Sequence, residues 1–396
     1  MNDCITGGVL HPTVEGENGV GKTSLVSVAQ YRLWREFNEN DGIPFIPIKT
    51  TELRSNDTAA SFTRSVMFDV AHAFIKHRKI LKRRGYHFPD SRNIERWISD
   101  PVNRSRTAGV SALSFGTTFG GSRTSNTSPG FAESGFPSAI MAWLEECFPD
   151  RSSGGFVCTI DNLELLRTAR ASINALESMR DALFKCPGLF WVLCGSNHVT
   201  RTLVQTPRLR GRLDDPIELS PVGDGDVREI LKRRFDVYAV RKPHDAPVDA
   251  DDFYFIYATI GKQLRDAFKY AECFSSWFAR ERPVVEPSGR SKLLKEWLTG
   301  KGKEHESSQP VRLKVRERGW QLFDRLADAG GYCIYSQHQE FGFPGQQSMR
   351  DQIARLVDVG LVRQDTDVSA NGRRVMSLTP IGWLVARARG VVHDVT

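Results

Sequence analysis

The sequence predicts an α/β protein. A parallel sheet with helices on both faces is followed by a helical domain and a small helix–helix–hairpin domain at the C-terminus. Three observations predict it. Short β-rich runs alternate with amphipathic stretches as far as Pro221, where the strand pattern stops. The runs 156–160 and 189–193 are apolar throughout, as strands buried on both faces must be. The chain is 396 residues long, 40% hydrophobic and 26% charged, enough to bury two or three separate cores.

In chain order, a short strand leads into a glycine-rich loop, and a helix follows over 22–37. A second strand is expected at 44–48. A helix over 61–83 then places Phe62, Val66, Val70, Phe74 and Ile75 on its apolar face. Residues 103–135 are rich in Gly, Ser and Thr and read as a mobile insert. Helix 137–147, strand 156–160, helix 170–185, strand 189–193 and a last strand at 217–219 complete a first domain spanning 1–221. Helices at 224–238, 250–259, 262–279 and 291–299 form a lid domain over 222–299. The polar stretch 300–310 reads as a linker.

Residues 311–396 read as a separate domain. Helix 312–328 carries Val315, Trp320, Leu322, Phe323 and Leu326, and a turn follows at Gly330-Gly331. Helix 346–359 turns Met349, Ile353, Leu356 and Val357 to one side. A strand begins at 360–363, Asn371-Gly372 is a hairpin turn, and 373–379 returns. This is the outline of a winged helix-turn-helix, whose second helix enters a major groove while the hairpin touches backbone. Gln346, Gln347, Arg350, Gln352 and Arg355 on the helix, with Arg373 and Arg374 on the wing, are free to meet double-stranded DNA. With fourteen Lys/Arg against eleven Asp/Glu in 301–396, the domain is only mildly basic. Protein docking is the alternative use.

Gly16-Glu17-Asn18-Gly19-Val20-Gly21-Lys22-Thr23 matches GxxxxGK[ST] at every fixed position, and Ser24 continues into the helix. Glycines at that spacing let backbone N–H groups turn inward around a phosphate, and the following helix adds its positive end. Lys22 would neutralise β- and γ-phosphates, and the Thr23 hydroxyl would ligate Mg²⁺. The strand 156–160 ends in Asp161, placed to hold the same Mg²⁺. The next position, where an acid polarises the attacking water in many hydrolases of this type, is Asn162; the nearest following acid is Glu164. The strand 189–193 leads to Gly195-Ser196-Asn197, so Asn197 can orient water or sense the γ-phosphate. Arg201, Arg208, Arg210 and Arg212 follow, and Arg212, then Arg208, is expected to reach a neighbour's ATP. Arg265, at a helix start in the lid, can bend back to the γ-phosphate.

These elements, with Gly261-Lys262-Gln263-Leu264-Arg265-Asp266-Ala267 in the lid, resemble the AAA+ superfamily of P-loop ATPases. Within it they resemble the initiator type related to archaeal Orc1/Cdc6, which also ends in a winged helix. P-loop ATPases of the STAND and KAP kinds share the general plan. The resemblance implies an ATP- and Mg²⁺-dependent ATPase, assembling or switching on DNA as a homo-oligomer or with a partner protein. A defence-system switch with a protein-binding winged helix and a transposition helper are the alternatives.

The net charge of +7 and a basic run of Lys76, Arg78, Lys79, Lys82, Arg83 and Arg84 lean toward a polyanionic partner, though such a run is more often a solvated helix end. No apolar run reaches the ~20 residues needed to span a bilayer. The first ten residues lack a secretory pattern, and the seven cysteines form no CxxC pair, which points to a cytoplasmic protein with reduced thiols.

Overall fold

The computed structural model describes residues 10–40, 42–53, 57–88, 136–163, 169–196, 199–239, 245–367 and 373–392. The chain divides into two compact units. One comprises Met1–Thr13, Thr23–Cys194 and Leu203–Pro216, and the other Val14–Lys22, Gly195–Thr202 and Ile217–Thr396. The expected insert 103–135 lies outside the described residues.

The strands β1 (His11–Gly16), β2 (Phe45–Pro47), β3 (Thr51–Glu52), β4 (Gly155–Asp161), β5 (Leu189–Gly195) and β6 (Leu213–Leu219) form one sheet in the order β2-β4-β5-β1-β6, with β3 also paired to β4. β2, β3 and β5 each run parallel to β4. Every residue of β4 and β5 is buried, which is why both read as unbroken apolar runs. Between the strands in chain order come α1 (Lys22–Asn40), α2 (Ala59–Arg83), α3 (Phe136–Cys147), α4 (Ala169–Met179) and the short α5 (Val199–Gln205). Phe74 of α2 meets Phe156 of β4 edge-on at 4.7 Å and Trp143 of α3 at 5.8 Å, so aromatic packing joins these helices to the sheet. β3 has no counterpart in the sequence reading, because two residues carry no alternation to detect.

The expected helix 170–185 ends instead in a π-helical turn, Arg180–Phe184. Its carbonyls serve the sheet: Trp191 Nε1 donates to Leu183 O at 3.2 Å, and His11 Nε2 lies 3.0 Å from Phe184 O. The Trp191 backbone N–H approaches His11 Nδ1 at 3.3 Å, so the neutral ring accepts there and carries its proton on Nε2. Burial pushes the His11 imidazole down to about 4, against the Phe184 carbonyl that favours its protonated form.

In the other unit, α6 (Asp224–Tyr238), α7 (Ala250–Thr259), α8 (Leu264–Glu281) and α9 (Arg290–Glu306) bury a core that includes Val227, Phe253, Ile256, Phe274 and Leu298. Then come α10 (Gln309–Lys314), α11 (Glu317–Asp328), β7 (Tyr332–Ile334), α12 (Gln346–Asp358), β8 (Val362–Asp367), β9 (Arg373–Leu378) and α13 (Pro380–Ala388). β8 and β9 pair antiparallel as the expected hairpin, and β7, absent from the sequence reading, adds a third strand beside β9. The expected turn Asn371-Gly372 falls outside the described residues.

Three expectations change. Residues 300–306 are helical: they continue α9, with Gly302 buried against the Leu384 carbonyl of α13. Their polarity belongs to an exposed helix face, where Lys301 pairs with Glu304 at 2.8 Å. Helix 312–328 is two helices, broken where buried Val315 and extended Arg316 turn the chain. On α12, Met349, Ile353 and Leu356 are buried but Val357 is 36% exposed. The helix α13, absent from the sequence reading, serves two cores: Leu384 joins the lid cluster, whereas Val385 and Ala386 join the C-terminal cluster. Arg389 fixes the same corner through Asp324 at 2.7 Å and Glu306 at 2.6 Å, which raise its already high guanidinium pKa further. No described helix is long and apolar enough to cross a membrane.

Candidate functional site

β1 ends at Gly16 and the chain turns through Glu17 and Asn18, both exposed, to Gly19 and Gly21. The φ angles of those two glycines, 87° and 113°, lie where a Cβ would be strained, so the turn requires glycine. Val20 is buried and pins the loop from below. Lys22, 6% exposed, opens α1 and sends its ammonium back into the loop, where it donates to Gly16 O at 2.8 Å and Glu17 O at 3.1 Å. Asn18 Oδ1 lies at 3.5 Å. An almost buried cation held by neutral acceptors has the chemistry to bind an anion more strongly than those acceptors. Arg265, exposed in the first turn of α8, stands beside the loop: a Cβ added at Gly19 would lie 3.5 Å from Arg265 Cβ. At the same edge buried Glu15 accepts from the Thr200 hydroxyl at 2.8 Å, and Arg363 donates to Glu17 at 2.9 Å.

Thr23, the next residue after Lys22, donates its hydroxyl to Asp161 Oδ2 at 2.6 Å, a short charge-assisted bond. Ser24 is exposed on the following turn of α1. The Thr23–Asp161 pair supplies two hard oxygen donors, which fits Mg²⁺. Among the described residues no group of three or more His, Cys, Asp or Glu side chains could hold a metal. Thr23 and Asp161 also line a cavity of about 550 Å³ together with Lys49, Glu52, Asp57, Ser61 and Asp69. Burial pushes the Asp69 carboxyl up, while the Lys49 charge opposes this.

Asn162 follows Asp161 with φ 56°, in the left-handed region that asparagine tolerates better than most residues. Its N–H donates to Asp161 Oδ1 at 2.9 Å, and its side-chain amide donates to Glu52 Oε1 at 2.9 Å. The sequence reading missed Glu52, Glu15 and Arg363. Each acts on a residue far away in the chain, so no local pattern marks them.

Glu164 and Asn197 lie outside the described residues. Arg212 sits where β1 begins, at the opposite end of that strand from Gly16. Its carbonyl accepts from the His11 N–H at 2.7 Å. Arg208 pairs with Glu177 at 3.4 Å, and Arg201 with Glu218. In the basic run, Arg84 donates to Phe37 O at 3.2 Å and Lys82 lies over the Phe88 ring at 5.4 Å, so part of that run is spent on packing α2.

On α12, Gln346, Gln347, Arg350 and Arg355 are exposed opposite the buried Met349, Ile353 and Leu356, and Gln352 is half-buried. The Arg350 guanidinium lies 5.0 Å from the Tyr335 ring centre. Arg374, exposed on β9 after Arg373, bears on the same phenol: burial pushes Tyr335 up, and the Arg374 and Arg350 charges pull it back. Arg350 of the helix and Arg374 of the wing therefore both bear on the Tyr335 ring.

No protein-family profile and no curated protein matches the chain. Solved structures are similar to it at low identity. The Orc1 protein of Aeropyrum pernix in complex with DNA is 13% identical with a TM-score of 0.42, over 96% of this chain and 87% of that one. The Orc2 protein of Aeropyrum pernix in ADPNP–ADP complexes is 12% identical with a TM-score of 0.42, over 98% and 89%. Cdc6p from Pyrobaculum aerophilum is 14% identical with a TM-score of 0.37, over 98% and 90%.

Proposed function

We propose that the protein is an ATP-binding, slowly hydrolysing ATPase whose nucleotide state controls assembly or partner recruitment on double-stranded DNA. The consecutive residues Lys22 and Thr23 carry this reading: a nearly buried ammonium inside a glycine loop, then a hydroxyl bonded to the strand-end carboxylate Asp161. Lys22 and the loop N–H groups bind the β- and γ-phosphates. The Thr23 hydroxyl and the Asp161 carboxylate would hold Mg²⁺, which neutralises charge on the transferring phosphoryl group. Arg265, beside Gly19, carries the γ-phosphate state to the lid helices. Assembly would bring an arginine from 201–212, Arg212 first, to a neighbour's nucleotide. A cytoplasmic setting belongs to this reading; burial pushes the Cys147, Cys186 and Cys333 thiols up to about 12, so they stay protonated.

DNA contact is assigned to Gln347, Arg350 and Arg355 on α12, with Arg373 and Arg374 on the wing. Support comes from exposed Arg350 and Arg374, which both bear on the Tyr335 ring.

The reading is tested by calorimetry on Lys22→Ala. Removing a charged partner of phosphate should weaken MgATP binding about ten- to a hundredfold, and parental affinity would refute the phosphate-loop assignment. For DNA, point substitutions suit better than truncation, because deleting the C-terminal domain would take Leu384 from the lid core. Arg350→Ala/Arg355→Ala/Arg374→Ala should flatten the salt dependence of duplex binding by about one unit of slope for each phosphate left without its arginine. Unchanged affinity and slope would move the site to the 76–84 run.

A further inference from the structure

The position after the strand-end aspartate is an amide, and the side chain hydrogen-bonded to that amide is an acid. Asn162 donates its side-chain N–H to Glu52 Oε1 at 2.9 Å, across 110 residues of chain. Glu52 ends β3, which lies parallel to β4 with Thr51 opposite Ile160 and Glu52 opposite Asp161. Glu52, Thr23 and Asp161 line one cavity of about 550 Å³. Asn162 sits in a left-handed conformation that a glutamate would adopt less readily. The corner thus favours an asparagine that folds back to β3, and β3 presents the carboxylate.

We propose that Glu52 is the catalytic carboxylate that orients and deprotonates the attacking water, and that Asn162 is the residue that positions it. This rests on the ATPase reading above. Asn162 holds one carboxylate oxygen, and the other accepts the water. The water oxygen forms a bond to the γ-phosphorus. The bond from that phosphorus to the β,γ-bridging oxygen breaks, its electron pair leaving with ADP. The water's proton passes to Glu52 and then to solvent. Glu52 is exposed and anchored by one neutral donor, worth about 1 kcal/mol, or roughly a fivefold preference for the position beside Asn162.

The test uses the full chain and compares the parent with Glu52→Gln, Glu52→Asp, Asn162→Ala and Glu164→Gln. MgATP affinity is read by calorimetry, hydrolysis by single turnover, and the nucleotide recovered from the protein by chromatography. Glu52→Gln should bind MgATP within about threefold of the parent, hydrolyse it at least about a hundredfold more slowly, and retain ATP where the parent retains ADP. Glu52→Asp, with its carboxylate drawn back, should fall between them. Asn162→Ala should slow hydrolysis by up to about fivefold with affinity kept, because the carboxylate remains but an anchor worth about 1 kcal/mol is removed. Parental turnover in Glu52→Gln overturns the inference while leaving the ATPase reading intact. So does an equal loss of affinity and turnover in that variant, which would make Glu52 a binding residue. Loss in Glu164→Gln without loss in Glu52→Gln gives the role to Glu164. A parent that neither binds nor hydrolyses MgATP overturns the ATPase reading, and the inference with it.

Discussion

Arg363 of the C-terminal domain donates through Nη2 to the Glu17 carboxylate of the phosphate loop at 2.9 Å, joining positions 346 residues apart. Ser377 Oγ steadies the same guanidinium by accepting from Nε at 2.8 Å. Glu17 places negative charge inside the glycine loop, and Arg363 offsets it. With Glu17 62% and Arg363 28% exposed, the pair is worth under ~1 kcal/mol. Arg363→Ala should therefore weaken MgATP binding by about two- to fivefold. The difference should shrink in about 0.5 M salt, where exposed charges are screened within a few ångströms. Calorimetry at low and high salt decides it, and equal affinities at low salt would show that the pair leaves nucleotide binding untouched.

His11 makes stability fall on mild acidification. Burial holds its folded-state pKa at about 4, below the ordinary 6.5, so between those values only the unfolded chain takes up the proton. The stabilising effect is complete above pH 6.5 and is lost as pH falls toward 4, by at most about 3 kcal/mol. His77, also lowered to about 4 by burial, acts in the same direction but is only half-buried. Urea titrations at about pH 7, 6 and 5 should show a falling midpoint, and His11→Gln should flatten the decline. A parent whose stability is constant over that range would contradict the burial of a neutral imidazole.

Two glycines on α9, Gly300 and Gly302, should respond oppositely to alanine. A Cβ at Gly302 would collide with the Leu384 carbonyl oxygen, whereas nothing lies within 4 Å of one at Gly300. Gly302→Ala should cost about 1–3 kcal/mol through overpacking against α13. Gly300→Ala should add up to about 1 kcal/mol by relieving the helix of glycine's backbone entropy. Chemical denaturation of both variants reads the pair. A Gly302→Ala protein as stable as the parent would mean that α9 and α13 do not pack closely.

The glycine loop was legible because its conformation is local: Gly19 and Gly21 take backbone angles that favour glycine, and β1 and α1 flank the loop. Asp161 was legible for a related reason, as a carboxylate closing a strand buried along its whole length. The wing and α12 were visible through hairpin and helical periodicity. The lid was legible as helices, but its last helix was cut short at 299, since Lys301, Lys303 and Glu304 suit a linker as well as an exposed helical face.

By itself, then, the sequence determined the elements whose cause is short-range: backbone turns, period and burial on one strand or helix. Tertiary structure alone decided which acid meets Asn162. Glu52 lies on a two-residue strand with no pattern of its own, and only the register of β3 against β4 brings it to Asn162. The same holds for Arg363 at Glu17 and for Leu384 against Gly302. In each case the partners are separated by tens to hundreds of residues. Their meeting is set by how strands and helices pack, which no local preference encodes.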